Sequence, residues 1–271
     1  MTSPTPVPGI DDRERKPKMP VLFIGHGSPM NAIEENPFSR TWENTGRRLP
    51  RPEAVLCISA HWLTRGSVRV TAIGAPGTIH DFSGFPAELY ARQYPAPGAP
   101  AFADLTRRLL GAPTSALDHV RGLDHGAWSV LGRMYPAADI PVYQLSIDYD
   151  RPPEYHYDLG RRLKPLREHG VLIVGSGNLV HNLGTARPGA RPYDWAEAFD
   201  TWLVARISAG DDTAVIGFRD LGRLAALAHP THDHFLPLLY VLGARDRADR
   251  VEFFNSAFDL GSVSMRSIQF G

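Results

Sequence analysis

A single cysteine, Cys57, stands in a chain of 271 residues. One thiol excludes an intramolecular disulfide framework and any zinc site built on cysteine pairs, and it fits a reducing, cytoplasmic setting. Net charge is missing as well, since Lys+Arg and Asp+Glu both total 29. No field of one sign draws the chain to nucleic acid or to an anionic membrane surface. No apolar run approaches the roughly 20 residues of a membrane span, and the N-terminus lacks the basic-then-apolar order of a signal peptide. No Gly-x-Gly-x-x-Gly follows the first apolar run, and neither a Walker loop nor a Gly-x-Ser-x-Gly elbow occurs. What the chain does have is histidine, 11 in all, together with 25 Gly and 24 Pro.

Residues 1–18 combine Pro, Ser, Thr and charge with almost nothing to bury, so they are expected to form a mobile tail ahead of one domain over 19–271. Four short apolar runs, at 19–25, 54–60, 142–148 and 171–177, are rich in Val, Ile and Leu. Such runs suit strands buried on both faces. Between and after them, 101–111, 128–135, 155–170, 194–210 and 235–243 have helical character. Strands alternating with helices predict an α/β fold, a central and mainly parallel sheet flanked by helices. The alternating segments 67–73 and 262–270 are expected as half-buried or edge strands. Long Gly- and Pro-rich loops at 75–90 and 94–100 are expected as walls of a binding site.

Three of the four buried runs lead into a histidine: His26 in GHGSPM, His61 in SAHW and His181 in NLVHN. Ligands in an open parallel sheet bind outside the carboxyl ends of the strands, which brings these three imidazoles to one crevice. One member of the group His229, His232 and His234 completes the set, most simply His234, which adjoins the apolar run FLPLLYVLG. A mononuclear metal held by imidazoles follows, with Fe(II), Zn(II) or Mn(II) favoured over Ca(II) or Mg(II). His125, between Asp124 and Gly126, is either an acid/base group or a neighbour of a helix cap. His80 in the long loop either reaches substrate or is a plain loop residue, and Ser28 stands beside His26 on the same side. His119, His156 and His169 have no partners in sequence and are read as solvated or structural, and Cys57 as buried and inert.

GHGSPMNAIEENP, SAHWLTRG, TIHDFSGFPAELYARQYPAPG, LDHGAWSVL, YPAADIPVYQLSID, GSGNLVHNL and HDHFLPLLYVLGA together resemble the class III extradiol ring-cleavage dioxygenases, in the subgroup of 4,5-DOPA dioxygenase-like proteins. The resemblance spans roughly 19–271 in order. It implies a non-haem Fe(II) enzyme that opens a catechol, such as DOPA, with O₂ beside rather than between the hydroxyls. His26, His61 and His234 match metal ligands, His181 the histidine nearest the reacting substrate, and His125 a further active-site histidine. Apart from that match, Ser28 and His80 are the candidate substrate-binding residues. Other class III branches use a carboxylate as third ligand, and a histidine stands here instead. An all-histidine set also suits Zn(II), with His181 then counted among the ligands. Zinc has no accessible redox change. The alternatives are a zinc-dependent hydrolase, using metal-activated water with His181 as base, and a non-catalytic metal-binding relative. What separates them from the first reading is the lack of a nearby carboxylate base, for which Asp124 and Asp233 are the candidates next to the histidines.

Overall fold

The computed structural model describes residues 18–271; the segment 1–17, and with it nearly all of the expected tail, lies outside the described residues. Lys18, the last residue of the expected tail and the first described one, is paired through Nζ with Asp246 and, at 3.5 Å, with Asp249. Among the described residues ten strands follow: β1 (Val21–Gly25), β2 (Ala54–Thr64), β3 (Val68–Thr71), β4 (Ser115–Asp118), β5 (Val142–Asp148), β6 (Val171–Gly177), β7 (Val251–Phe254), β8 (Phe258–Asp259), β9 (Val263–Ser264) and β10 (Ser267–Phe270). Eight of them form one sheet in the order β4, β3, β5, β2, β6, β1, β10, β7, and β8 pairs with β9 as a separate ribbon.

The four apolar runs are the centre of that sheet. β5, β2, β6 and β1 lie side by side and parallel, with Leu56 opposite Ile173 and Ile173 opposite Val21. Burial on both faces is what their composition requires. Val21 and Phe23 enter one core with Leu159, Phe199 and Leu239, from helices Pro153–Leu163, Asp194–Ala209 and Leu236–Ala244. Leu22 and Ile24 enter the other with Trp42 and Trp128, from helices Pro37–Arg48 and His125–Met134. Full burial of each such side chain is worth roughly 1.5–3 kcal/mol, which makes this four-strand block the rigid platform for what its ends carry. No described helix is long and apolar enough to cross a membrane.

Three expectations change. Segment 262–270 divides between β9 and β10, and β10 sits inside the sheet while β7 takes the edge. Its serines are buried because they are hydrogen-bonded: Ser264 Oγ donates to Asp200 Oδ1 at 2.7 Å, and Ser267 Oγ accepts from Gly25 N at 3.1 Å. β2 does not stop at Ala60 but runs on to Thr64. The loop 94–100 braces the sheet instead of walling a site: Val142 N donates to Pro97 O at 2.7 Å and Gly98 N to Gly74 O at 2.8 Å.

Candidate metal centre and active-site cavity

His26 leaves the end of β1, and its backbone N donates to Gly177 O at 3.0 Å, which joins the ends of β1 and β6. Its Nδ1 is 3.0 Å from Ser176 Oγ, and Ser176 Oγ donates to Gly126 O at 2.6 Å. A hydroxyl whose proton is committed to a carbonyl accepts from the imidazole. Nδ1 therefore carries the proton, and Nε2 presents a lone pair.

His61 reaches the same point by a different device. The register of β2 against β5 shifts between Ile58 and Leu63, so residues 59–62 bulge from the ladder and turn His61 toward the strand ends. His61 Nε2 lies 3.1 Å from His26 Nε2. Helix His125–Met134 begins against this bulge only because residue 126 is glycine: a Cβ there would stand 2.4 Å from Ser59 Oγ and 3.0 Å from His61 Cδ2.

His234 sits just before helix Leu236–Ala244, and its backbone crosses the end of β6. Asn178 N donates to His234 O at 3.0 Å, and a Cβ on Gly177 would lie 2.1 Å from that oxygen. The neighbouring Asp233 carboxylate makes a short hydrogen bond with His234 Nδ1, leaving Nε2 for the crevice. His181 donates its backbone N to Ala228 O at 2.9 Å, and its ring stacks on His234 with centroids 3.5 Å apart. His125 opens its helix, with Nδ1 3.0 Å and backbone N 2.9 Å from Asp81 Oδ1.

The rings of His26, His61 and His234 form a nearly equilateral triangle, with centroid separations of 5.0, 5.2 and 5.0 Å. The ring nitrogens of His26, His61 and His125 also lie within 4.8 Å of one another, although the His61 and His125 rings stand only 3.9 Å apart. Burial, followed by the neighbouring imidazoles, holds His26 and His234 well below the ordinary histidine range. Burial also brings His61 and His181 down to about 4. These histidines are neutral near pH 7, the form that ligates a metal or accepts a proton. Burial pushes the Asp81 carboxyl up, but hydrogen bonding and charge from His125 outweigh it and hold Asp81 at about 2.

The five imidazoles open onto a cavity of about 260 Å³ whose walls include Pro29, Phe82, Phe85, Leu183, Leu260 and Val263. Ser28 lines it too, with Oγ accepting from Met30 N at 3.2 Å. His80 does not: its Nε2 is 2.9 Å from Arg92 O and its ring packs near Phe82 and Trp128, so it braces the wall from behind. His229 is buried among Phe199, Phe218 and Phe235 with Nε2 2.9 Å from Leu179 O, and His232 stacks on Tyr149. Asp124 is spent as the helix cap, accepting from Ala127 N at 3.3 Å and from Gln144 Nε2 at 2.8 Å. Asp81, Ser176 and Asp259 escaped the sequence reading. Only Asp81 left a signal, as the acid beside His80 in the loop expected to wall the site.

A mainly parallel α/β sheet with neutral imidazoles gathered at its strand ends offers a possible metal-binding site in an enzyme-like cavity. Residues 20–271 match the family described as the catalytic LigB subunit of aromatic ring-opening dioxygenase. The chain is 45% identical over 260 residues to 4,5-DOPA dioxygenase extradiol of Escherichia coli K12, covering 94% of this chain and 95% of the relative. It is 41% identical over 259 residues to the protein of that name in Beta vulgaris, covering 92% and 95%. A crystal structure of an uncharacterized protein from Escherichia coli K12 superposes with a TM-score of 0.81 at 42% identity, covering 93% of this chain and all of the other. The chain belongs to this family of aromatic ring-opening dioxygenases, and its reaction class is extradiol ring cleavage.

Proposed function

We propose that this protein opens single-ring catechols, DOPA among them, with O₂, and that His26, His61 and His234 hold the Fe(II) it uses. The observation that carries this reading is the equal-sided triangle of those three rings. Imidazole nitrogens about 2.1 Å from one ion at octahedral or tetrahedral angles put neighbouring nitrogens about 3.0–3.4 Å apart and ring centroids about 4.6–5.3 Å apart. The 3.1 Å between His26 and His61 and the three centroid separations fall in those ranges, whereas the His61 to His125 spacing of 3.9 Å is too short. Ser176 and Asp233 fix the far nitrogens of His26 and His234, as outer partners of ligating histidines do. Ferrous iron supplies the redox change that lets O₂ react with an aromatic ring, which zinc does not.

The chain's own groups do the rest. Phe82, Phe85, Leu183 and Val263 exclude water from the ring, and the cavity volume, below the roughly 300–1,000 Å³ usual for ligand sites, suits one aromatic ring. His181, neutral at pH 7 and unprotected on the cavity side, accepts a hydroxyl proton from the catechol and returns it later. His125, oriented by Asp81, stands across the site as the second proton-handling group. The buried, unpaired Cys57 agrees with a cytoplasmic setting.

The test is anaerobic reconstitution with Fe(II) followed by oxygen uptake on DOPA. One O₂ consumed per ring opened, with a yellow semialdehyde product and no turnover by zinc-loaded protein, is expected. Ester or amide hydrolysis without an oxygen requirement would overturn the reading. Metal analysis of His234→Ala against His125→Ala tests the ligand set: loss in the first and retention in the second is expected.

A further inference from the structure

One acidic residue, Asp259, stands among the described residues that line the cavity. No lysine or arginine lies among the described lining residues, and no described side chain pairs with this carboxylate. A half-buried acidic side chain at a cavity with no cation opposite leaves an acceptor open to a cationic group of a ligand.

The backbone fixes where that anion sits. Asp259 on β8 is directly opposite Val263 on β9, and Val263 bridges in turn to His181. Residues directly opposite in an antiparallel pair project to the same side about 5 Å apart, so Asp259, Val263 and His181 form a row with Asp259 about 10 Å from His181. That distance is the span of an aromatic ring seated at His181 with a short arm extending over Val263. The turn behind Asp259 is held rather than loose. Leu260 has φ 54° and Gly261 φ 75°, and the two carbonyls accept from Arg187 N and Tyr193 N at 3.0 Å each. A left-handed leucine is strained and persists only where its surroundings dictate it.

We propose that Asp259 is a specificity-determining residue that binds the ammonium group on the side chain of an amine-bearing catechol such as DOPA. The inference rests on the catechol dioxygenase reading and narrows it. An ammonium makes the charge-assisted hydrogen bond that the carboxylate lacks. A substrate whose arm ends only in a carboxylate meets like charge at the same point and is rejected.

Oxygen uptake by Fe(II)-loaded protein on dopamine, DOPA, the catechol with an acetate arm and methylcatechol tests it. The natural chain should favour the two amines over the acetate by about tenfold or more in kcat/KM, the scale of one charge-assisted contact. In Asp259→Asn the ratio of dopamine to methylcatechol should fall about tenfold, mainly through KM. In Asp259→Lys the preference should invert toward the acetate, a gain that a merely misfolded variant does not produce. Turnover with no change of these ratios in either variant would overturn the role of Asp259. Absence of turnover on all four catechols in the natural chain would instead overturn the dioxygenase reading.

Discussion

Ser176 shows how much of the candidate centre rests on residues outside the histidine triangle. Its hydroxyl gives its proton to Gly126 O and accepts from His26 Nδ1, so it sets both the tautomer and the angle of that ring. Ser176→Ala should weaken metal affinity by about 10–100-fold, the usual cost of an outer partner, and a competition titration with a chelator measures it. His181→Ala should behave differently. Its backbone is held by Ala228 O and by the bridge to Val263, and its ring stacks on His234 as a fourth member beside the His26, His61 and His234 triangle. Metal content should stay near that of the natural chain while kcat falls by about 10²–10⁴-fold. An empty site in the purified variant would make His181 a ligand, and undiminished turnover would remove it from the chemistry. The histidines were legible in sequence because three of them follow apolar runs, and the strand ends then bring them together. Asp81 was not, since it lies in an irregular loop and meets His125 only through tertiary folding. Asp259 was hidden for the same reason, its place set by a short hairpin distant in sequence from His181.

At the scale of elements, the close crossing of helix Leu236–Ala244 over β6 decides where His234 falls. Two main-chain approaches permit it: a Cβ on Gly175 would lie 2.6 Å from Pro237 O and one on Gly177 would lie 2.1 Å from His234 O, while on the helix's other side a Cβ on Gly160 of helix Pro153–Leu163 would lie 2.2 Å from Tyr240 O. Gly177→Ala therefore forces the segment carrying His234 away from the strand. It should destabilise the fold by about 1–3 kcal/mol, as overpacking does, and lower metal affinity along with it. Normal metal binding in a folded Gly177→Ala protein would show that His234 is not held by this crossing. The run VLIVGSG reads as a buried strand from its apolar residues, but the purpose of its glycines emerges only with the helix above them. Other elements left fainter marks. Helix Pro37–Arg48 buries Ser39, Trp42 and Thr45, a stripe with one apolar member, so hydrophobic periodicity gave no notice of it. The bulge in β2 was equally silent, because AVLCISAHWLT carries no glycine to mark the irregularity.

For the whole molecule, the α/β order was readable because the apolar runs and helical stretches alternate along the chain, and a sheet buried on both faces is the arrangement that satisfies both. The same burial makes the protein sensitive to acid, and His156 provides a measure remote from the metal centre. It lies in helix Pro153–Leu163, with Nε2 3.3 Å from Arg151 O and Nδ1 3.0 Å from Tyr240 OH. A carbonyl only accepts, so Nε2 carries the proton and Nδ1 accepts from the tyrosine. Burial holds this imidazole at about 4, against about 6.5 in an unfolded chain. Between those values the unfolded chain binds the extra proton and the folded one does not, so stability falls as pH drops. The contribution is fully present above about 6.5 and gone by about 4, a loss of about 3 kcal/mol from this residue alone. Denaturant unfolding of metal-free protein across that window should show the decline, and His156→Gln should reduce its slope by about one proton. An unchanged slope in the variant would mean that His156 is already protonated in the fold, and that the acid sensitivity belongs to the histidines at the strand ends.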